Sequence, residues 1–436
     1  MAKIHFITQG CSMNHSDSEV MMGLLREADH EIIGDERDAD IIIFNTCTVK
    51  GPTESFFRKK LEELEKEGKV VIVAGCIPQS DPGAAGSHSC IGTYQIDRVV
   101  DAVTQTLDGS NVRMLDRVHS QRLNLPKMRN NNIIEIIPIN AGCIDSCSYC
   151  KTKQARGILH SYQKEDIIRQ AEQAINEGVR EIWLTSQDTG CYGFDRRPEK
   201  YFLPDLINDI NDLEGDFMVR VGMGNPNNFM QFLPELIRAF KGEKIFKFLH
   251  CPIQSGSDFV LRAMRRRYTV GDYKRIINEF KRVIPGMTFS TDIICGFPTE
   301  TDQQFQDTIS LVEGTRPAVM HISKFWLRPG TEAEALEPVS DRKRVQRSRM
   351  MREIHHRISG EENRKWLGWQ GRVLVEGHGK NNTWIARNFA YKQIIIQKDM
   401  IQKVMIQKNS QENMIGMFID VRVVKSSEFY LHAEPL

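Results

Sequence analysis

Three thiols within eight residues, Cys143-Ile-Asp-Ser-Cys147-Ser-Tyr149-Cys150, constrain this chain more than any other feature. With three and then two residues between them, one loop can turn all three sulfurs toward a common point. Thiolate is a soft ligand that suits iron–sulfur clusters and zinc. A structural zinc site wants a fourth protein ligand, usually from paired Cys-x2-Cys knuckles, and only one such pair is present. Three corners of an iron–sulfur cube leave one iron without a protein ligand, and an open metal position is where chemistry occurs. The spacing therefore points to an enzyme, with structural zinc as the alternative.

The 436 residues are enough for two or three domains. A formal net charge of +1 singles out no partner. No apolar run reaches the roughly 18 residues that a membrane helix needs, and the first residues read as a strand without signal-peptide architecture. The expected location is cytoplasmic, with no membrane partner. In that setting ten cysteines argue for metal ligands or buried thiols, not disulfides.

The expected fold class is α/β with a small β-barrel at the end. Residues 1–108 alternate apolar runs (Ile4-His-Phe-Ile-Thr8, Ile41-Ile-Ile-Phe44, Val70-Val-Ile-Val-Ala74) with helical stretches at 16–26 and 53–67. This pattern predicts a doubly wound parallel sheet. Residues 109–131 are polar and read as a linker. Residues 132–337 repeat a strand-then-helix rhythm, with strands at 133–139, 181–185, 218–222, 246–250, 288–294 and 321–325 and helices such as 164–177 and 271–283. Six such units suit a partial (β/α)6 barrel, open on one side, whose ligands bind just past the strand ends. Residues 338–365 form a basic helix, with nine Lys/Arg against four Asp/Glu over 341–365, a net of about +5. Residues 366–436 shift to short alternating strands, Gly371–Glu376, Gln393–Gln397 and Phe418–Val424 among them, and read as a small β-barrel of net charge about +3.

Three more cysteines follow strands of the first domain by a few residues. They are Cys11 in Thr8-Gln-Gly-Cys-Ser-Met-Asn14, Cys47 in Asn45-Thr-Cys-Thr-Val49 and Cys76 in Ala74-Gly-Cys-Ile-Pro78. A parallel sheet brings such positions to one edge. The small neighbours Gly10, Thr46 and Gly75 leave room for a bulky cluster. The alternative is three unrelated core thiols, since free cysteine is a common interior residue. Cys90, Cys191, Cys251 and Cys295 match no ligand pattern and are read as core or loop thiols.

The triplet resembles that of the radical S-adenosylmethionine superfamily. Gly10-Cys11-Ser-Met-Asn14, Asn45-Thr-Cys-Thr48 and Ala74-Gly-Cys76, placed ahead of it and followed by a TRAM-like barrel, are similar to the methylthiotransferase family over essentially the whole chain. Thr46-Cys-Thr-Val-Lys-Gly-Pro-Thr-Glu54, Ala74-Gly-Cys-Ile-Pro-Gln79 and Trp183-Leu-Thr-Ser-Gln-Asp-Thr-Gly190 resemble the MtaB-type, archaeal and eukaryotic branch. That branch acts on N6-threonylcarbamoyladenosine at tRNA position 37.

The resemblance implies two [4Fe–4S] clusters. One, on Cys143, Cys147 and Cys150, chelates and reductively cleaves S-adenosylmethionine to a 5′-deoxyadenosyl radical. The other, on Cys11, Cys47 and Cys76, supplies or relays sulfur. It implies an aromatic residue near the adenine at Tyr149, an electron donor, and a tRNA anticodon stem-loop as partner. Gln187, Arg220 and Gln254 are candidate polar contacts to S-adenosylmethionine, with surface or supporting roles as the alternative. Lys153 and Arg156 are candidates for a substrate phosphate or carboxylate, or else solvated charges. Gly296-Phe-Pro-Thr-Glu-Thr301 departs from the family's Gly-Phe-Pro-Gly-Glu-Thr by Thr299, and Leu327-Arg-Pro-Gly-Thr331 stands where the family more often has Ser-Pro before Arg.

The basic helix and barrel suit phosphate contacts. Trp384, Phe389 and Tyr391 among Arg387 and Lys392 suit base stacking. A solvated helix and an ordinary barrel core are the alternative. Related enzymes acting on isopentenyladenosine tRNA or on a ribosomal-protein aspartate share the cysteine plan, and charge favours RNA. A non-catalytic iron–sulfur RNA-binding protein is the reading from another class, and it would cleave no S-adenosylmethionine.

Overall fold

The computed structural model describes residues 1–49, 51–400 and 414–436. The first sheet is six-stranded and parallel throughout, in the order Glu31–Ile33, Lys3–Thr8, Ile41–Thr46, Val70–Gly75, Ser89–Gly92, Arg113–Met114. The strand Ile41–Thr46 is buried on both faces. Ile41 and Ile43 join the core beneath the helices Ser12–Glu27 and Val99–Leu107, while Ile42 and Phe44 join that beneath Gly51–Lys66. This two-residue alternation explains the unbroken apolar run. The order reverses between Lys3–Thr8 and Ile41–Thr46, and Cys11 and Cys47 follow these two strands. They flank the switch point, where open α/β sheets bind ligands.

The segment read as a linker is more than a tether. Arg113–Met114 is the sixth strand, and Arg122 is buried. Arg122 pairs with Asp17 of the first domain. Charge-rich composition suggested an exposed connector because the buried carboxylate partners lie far away in sequence.

The central six parallel strands form two three-stranded sheets, one ordered Met218–Val221, Glu181–Thr185, Ile134–Pro138 and the other Phe248–His250, Thr288–Cys295, Val319–Lys324. The bridge Val219 to Ile245 links them. Ile134–Pro138 and Val319–Lys324 each end their sheet, giving a partial barrel. The helix Ser12–Glu27 abuts the first edge, where Ser16 Oγ donates to the Ile136 carbonyl at 3.3 Å.

The basic helix spans Asp341–Arg364 and packs Met351 and Ile358 into the central core. Much of its charge is paired within the protein. Arg347 is buried against Glu300 and Asp302, Arg357 pairs with Glu313, and Glu361 and Glu362 hold Arg316. The last residues close a five-stranded barrel, Gln370–Gly379, Thr383–Asn388, Gln393–Gln397, Leu431–Pro435, Phe418–Ser426. Among the described residues no helix is long and apolar enough to cross a membrane.

Candidate active site

The loop carrying the triplet is pinched at its base, where Asn140–Ala141 pairs antiparallel with His160–Ser161. Gln187 Oε1 accepts from the Gly142 N–H at 2.8 Å, and Lys153 Nζ donates to the Cys143 carbonyl. At the far side Ser148 Oγ donates to the Ala263 carbonyl at 2.8 Å. Held at both ends, the loop presents three partly buried cysteines. Burial pushes the Cys147 thiol up to about 11, while the nearby Arg266 guanidinium acts in the opposite sense. Metal binding here would release protons.

Tyr149 packs edge-on against Phe297 and accepts a hydrogen bond from Arg266. Arg266 also donates to Asn225 Oδ1 at 2.7 Å. Sequence reasoning did not single out Arg266. Its one signal is the run Arg265-Arg266-Arg267, whose outer members are exposed while the middle one turns inward. Asp145 and Asp188 were missed too, yet their carboxylates and the Cys143 sulfur offer atoms within 4.8 Å of one another. Asp188 accepts from Asn225 and Asn228 at 2.7 Å, and burial raises it to about 6. Cys191, read as a core thiol, is buried but lies against the Cys143 thiol. A cleft lined by Cys143, Ile144, Lys153, Ile158, Leu159 and Phe194 opens beside the triplet.

Cys11, Cys47 and Cys76 converge. Cys11 caps the helix Ser12–Glu27, and Cys76 opens the short helix Cys76–Ser80. The Asn14 amide donates to the carbonyls of Gln9 and Thr46 at 2.9 and 2.8 Å. That turns its oxygen toward sulfur, 3.9 Å from Cys11 Sγ and 3.7 Å from Cys76 Sγ. Burial raises the Cys47 thiol to about 12, and the charges of Cys76 and Cys11 add to the effect. Gly10, at φ +109°, lies so close that a Cβ there would come within 2.9 Å of Cys47 Sγ. Cys47 and Cys76 are buried, and Cys11 is exposed.

Arg156 joins the two sites. It follows Cys150 by six residues and is 2% exposed. Its Nη2 donates to Asn14 Oδ1 at 2.8 Å and Asp17 Oδ2 at 2.7 Å. Nη1 is buried with no oxygen acceptor among the described residues, and the guanidinium lies beside Cys76 and Cys11, hydrogen-bonded to Cys76. Arg156 is thus neither solvated nor turned to an outer phosphate. Three soft donors, the room at Gly10 and a buried guanidinium beside the thiols suit an anionic iron–sulfur cluster at Cys11, Cys47 and Cys76.

The remaining candidates separate. Gln254 is buried with φ +72°, its N–H donating to the Asp292 carbonyl at 2.8 Å. The Arg220 guanidinium lies over the rings of Trp183, Phe248 and Tyr391 at 4.9, 5.5 and 5.3 Å. Tyr391 reaches in from the C-terminal barrel and donates to Glu181 at 3.0 Å. Arg220 is therefore packed with that barrel, not with the triplet loop. The proposed stacking platform is likewise largely internal. Trp384 lies in the barrel core, Arg387 pairs with Glu376, and Lys392 is buried on Asn363. Phe389 keeps partial exposure. Cys90, Cys251 and Cys295 are buried.

Comparison with known proteins agrees with this layout. The Radical SAM superfamily model matches residues 137–312, a model described as Uncharacterized protein family UPF0004 matches 3–90, and the TRAM domain matches 368–436. In structure, the chain is similar to a radical S-adenosylmethionine methyltransferase, TsrM, from Kitasatospora setae with cobalamin and a [4Fe–4S] cluster bound. The TM-score is 0.56 at 14% identity, covering 76% of this chain and 74% of that one. In sequence, it is 39% identical to the human threonylcarbamoyladenosine tRNA methylthiotransferase, covering 100% of this chain and 74% of that protein. It is 38% identical to the probable threonylcarbamoyladenosine tRNA methylthiotransferase of Pyrococcus horikoshii, covering 100% and 99%. With its two thiol trios in place and its similarity running from end to end, the chain belongs to the threonylcarbamoyladenosine tRNA methylthiotransferase family.

Proposed function

We propose that this chain is a cytoplasmic tRNA methylthiotransferase. It converts N6-threonylcarbamoyladenosine at position 37, in the anticodon stem-loop, to the 2-methylthio derivative, using S-adenosylmethionine, two [4Fe–4S] clusters and an external electron donor. The observation that carries this reading is the single guanidinium of Arg156. It leaves the loop of one thiol trio and bonds Asn14, whose oxygen touches two thiols of the other. Two sulfur sites held across one interface suit a reaction that must both activate a C–H bond and deliver sulfur.

Cys143, Cys147 and Cys150 would hold the cluster that supplies the electron for cleaving the sulfonium, and Cys11, Cys47 and Cys76 the one that carries transferable sulfur. Adenine C2–H is a poor acid, so acid–base side chains alone do not reach it, and the hard chemistry falls to cofactors. The chain's own residues position. Gln187 and Lys153 fix the triplet loop, while Arg266 places positive charge beside Cys147 and orients Tyr149. Ile158 and Phe194 give the cleft beside Cys143 an apolar lip that limits water.

Mass spectrometry of tRNA nucleosides from cells with and without the gene tests the proposal. Loss of the methylthio-threonylcarbamoyl nucleoside is expected. Loss of a methylthio-isopentenyl nucleoside instead would overturn the substrate. A reconstituted protein that cleaves no S-adenosylmethionine would overturn the enzyme.

A further inference from the structure

The central barrel sends two arginines toward the thiols of the first domain, and each keeps a buried nitrogen that finds no oxygen acceptor among the described residues. Arg156 donates through Nη2 to Asn14 and Asp17, its Nη1 has no oxygen acceptor among the described residues, and its guanidinium acts on the Cys76 and Cys11 thiols, with a hydrogen bond to Cys76. Arg328, 6% exposed, donates through Nη1 to Glu54 Oε2 at 2.7 Å. Its Nη2 is likewise buried with no acceptor among the described residues, and the Cys47 thiol acts on the guanidinium's charge. A buried N–H left unmade is costly. Two such groups face one trio of sulfurs.

We infer that Arg156 and Arg328 are positioning residues for the cluster on Cys11, Cys47 and Cys76, donating hydrogen bonds to its sulfurs and raising its reduction potential. The inference rests on the proposal that this trio holds a cluster. Positive charge and hydrogen bonds at sulfur stabilise the reduced, more negative state. Because both arginines belong to the central barrel, the potential of the first-domain site depends on the interface between the two domains.

The test uses the full chain carrying C143A, C147A and C150A, so that one cluster is read alone, with its midpoint potential followed by EPR. R156Q and R328Q should each shift the potential to a lower value, the larger shift at Arg156, with iron content unchanged. R156K, which keeps charge but loses the fork, should shift it less than R156Q. D17N removes the carboxylate that offsets Arg156 and should not lower it. Unchanged potentials in both glutamine variants, or a lowering in D17N equal to that in R156Q, would overturn the inference. Absence of any cluster in the parent background would instead overturn the two-cluster reading on which it rests.

Discussion

The two thiol trios are built in opposite ways. Cys143, Cys147 and Cys150 sit on one pinched loop, and their supporting groups, Gln187, Lys153 and Arg266, all come from the same barrel. Cys11, Cys47 and Cys76 come from three strand ends, and their buried cations, Arg156 and Arg328, are borrowed from the neighbouring domain. The first site is set by local sequence. The second exists only once a sheet has folded and a second domain has docked on it. A local loop can bind metal early, whereas a distributed site reports on the whole interface.

Breaking each trio should therefore give different losses. Replacing Cys143, Cys147 and Cys150 by alanine should abolish S-adenosylmethionine cleavage in a single-turnover assay. Replacing Cys11, Cys47 and Cys76 should leave cleavage and remove methylthio product. Equal loss of cleavage in both variants would erase the distinction.

The interface can be broken without touching a thiol. Asp17 lies at 1% side-chain exposure between Arg156 and Arg122. Asp17→Ala would strand two buried cations, at a cost of about 3–5 kcal/mol. In denaturant titrations the variant should lose iron from the first-domain trio before the triplet. Simultaneous loss would contradict the separate construction.

A junction without metal ligands serves as a control. Lys392 and Lys247 are enclosed where the C-terminal barrel meets the central one, Nζ of Lys392 on Asn363 Oδ1 at 2.9 Å and the Lys247 N–H on the Phe389 carbonyl at 2.7 Å. Burial lowers both amines to about 8. Their charged forms are thus disfavoured in the folded protein, so stability is reduced below pH 8 and recovered as pH rises from 8 toward the unfolded value near 10.5. The unfolding free energy should rise between pH 8 and 10 by on the order of 2–4 kcal/mol for the two amines together. Lys392→Met should flatten that rise.

The smallest effect concerns Thr299. The turn holds it at φ +68°, a left-handed conformation that a β-branched residue resists. Thr299→Gly should stabilise the chain by about 1 kcal/mol in urea unfolding. No gain would mean that the loop has relaxed around threonine.

These contrasts also explain what could be read from sequence. The triplet was legible because its geometry is local, and the first trio because each cysteine repeats one pattern of strand, small residue and thiol. The strands 41–44 and 393–397 were legible through their apolar runs. The burial of Arg156, and the pairing of part of the basic helix, could not be read for one reason: a count of charges does not reveal their partners. Asp17 lies 139 positions from Arg156, and Glu300 lies 47 from Arg347. Trp384 and Tyr391 misled similarly, since aromatic rings beside basic residues look alike on an RNA surface and inside a domain junction.

Iron and sulfide content with Mössbauer spectra, measured anaerobically on the full chain and on the two triple-alanine variants, tests the central claim most directly. The account predicts about eight irons per chain in two [4Fe–4S] signals, with about four remaining in either variant. About four irons in the full chain, unchanged when Cys11, Cys47 and Cys76 are replaced, would contradict it.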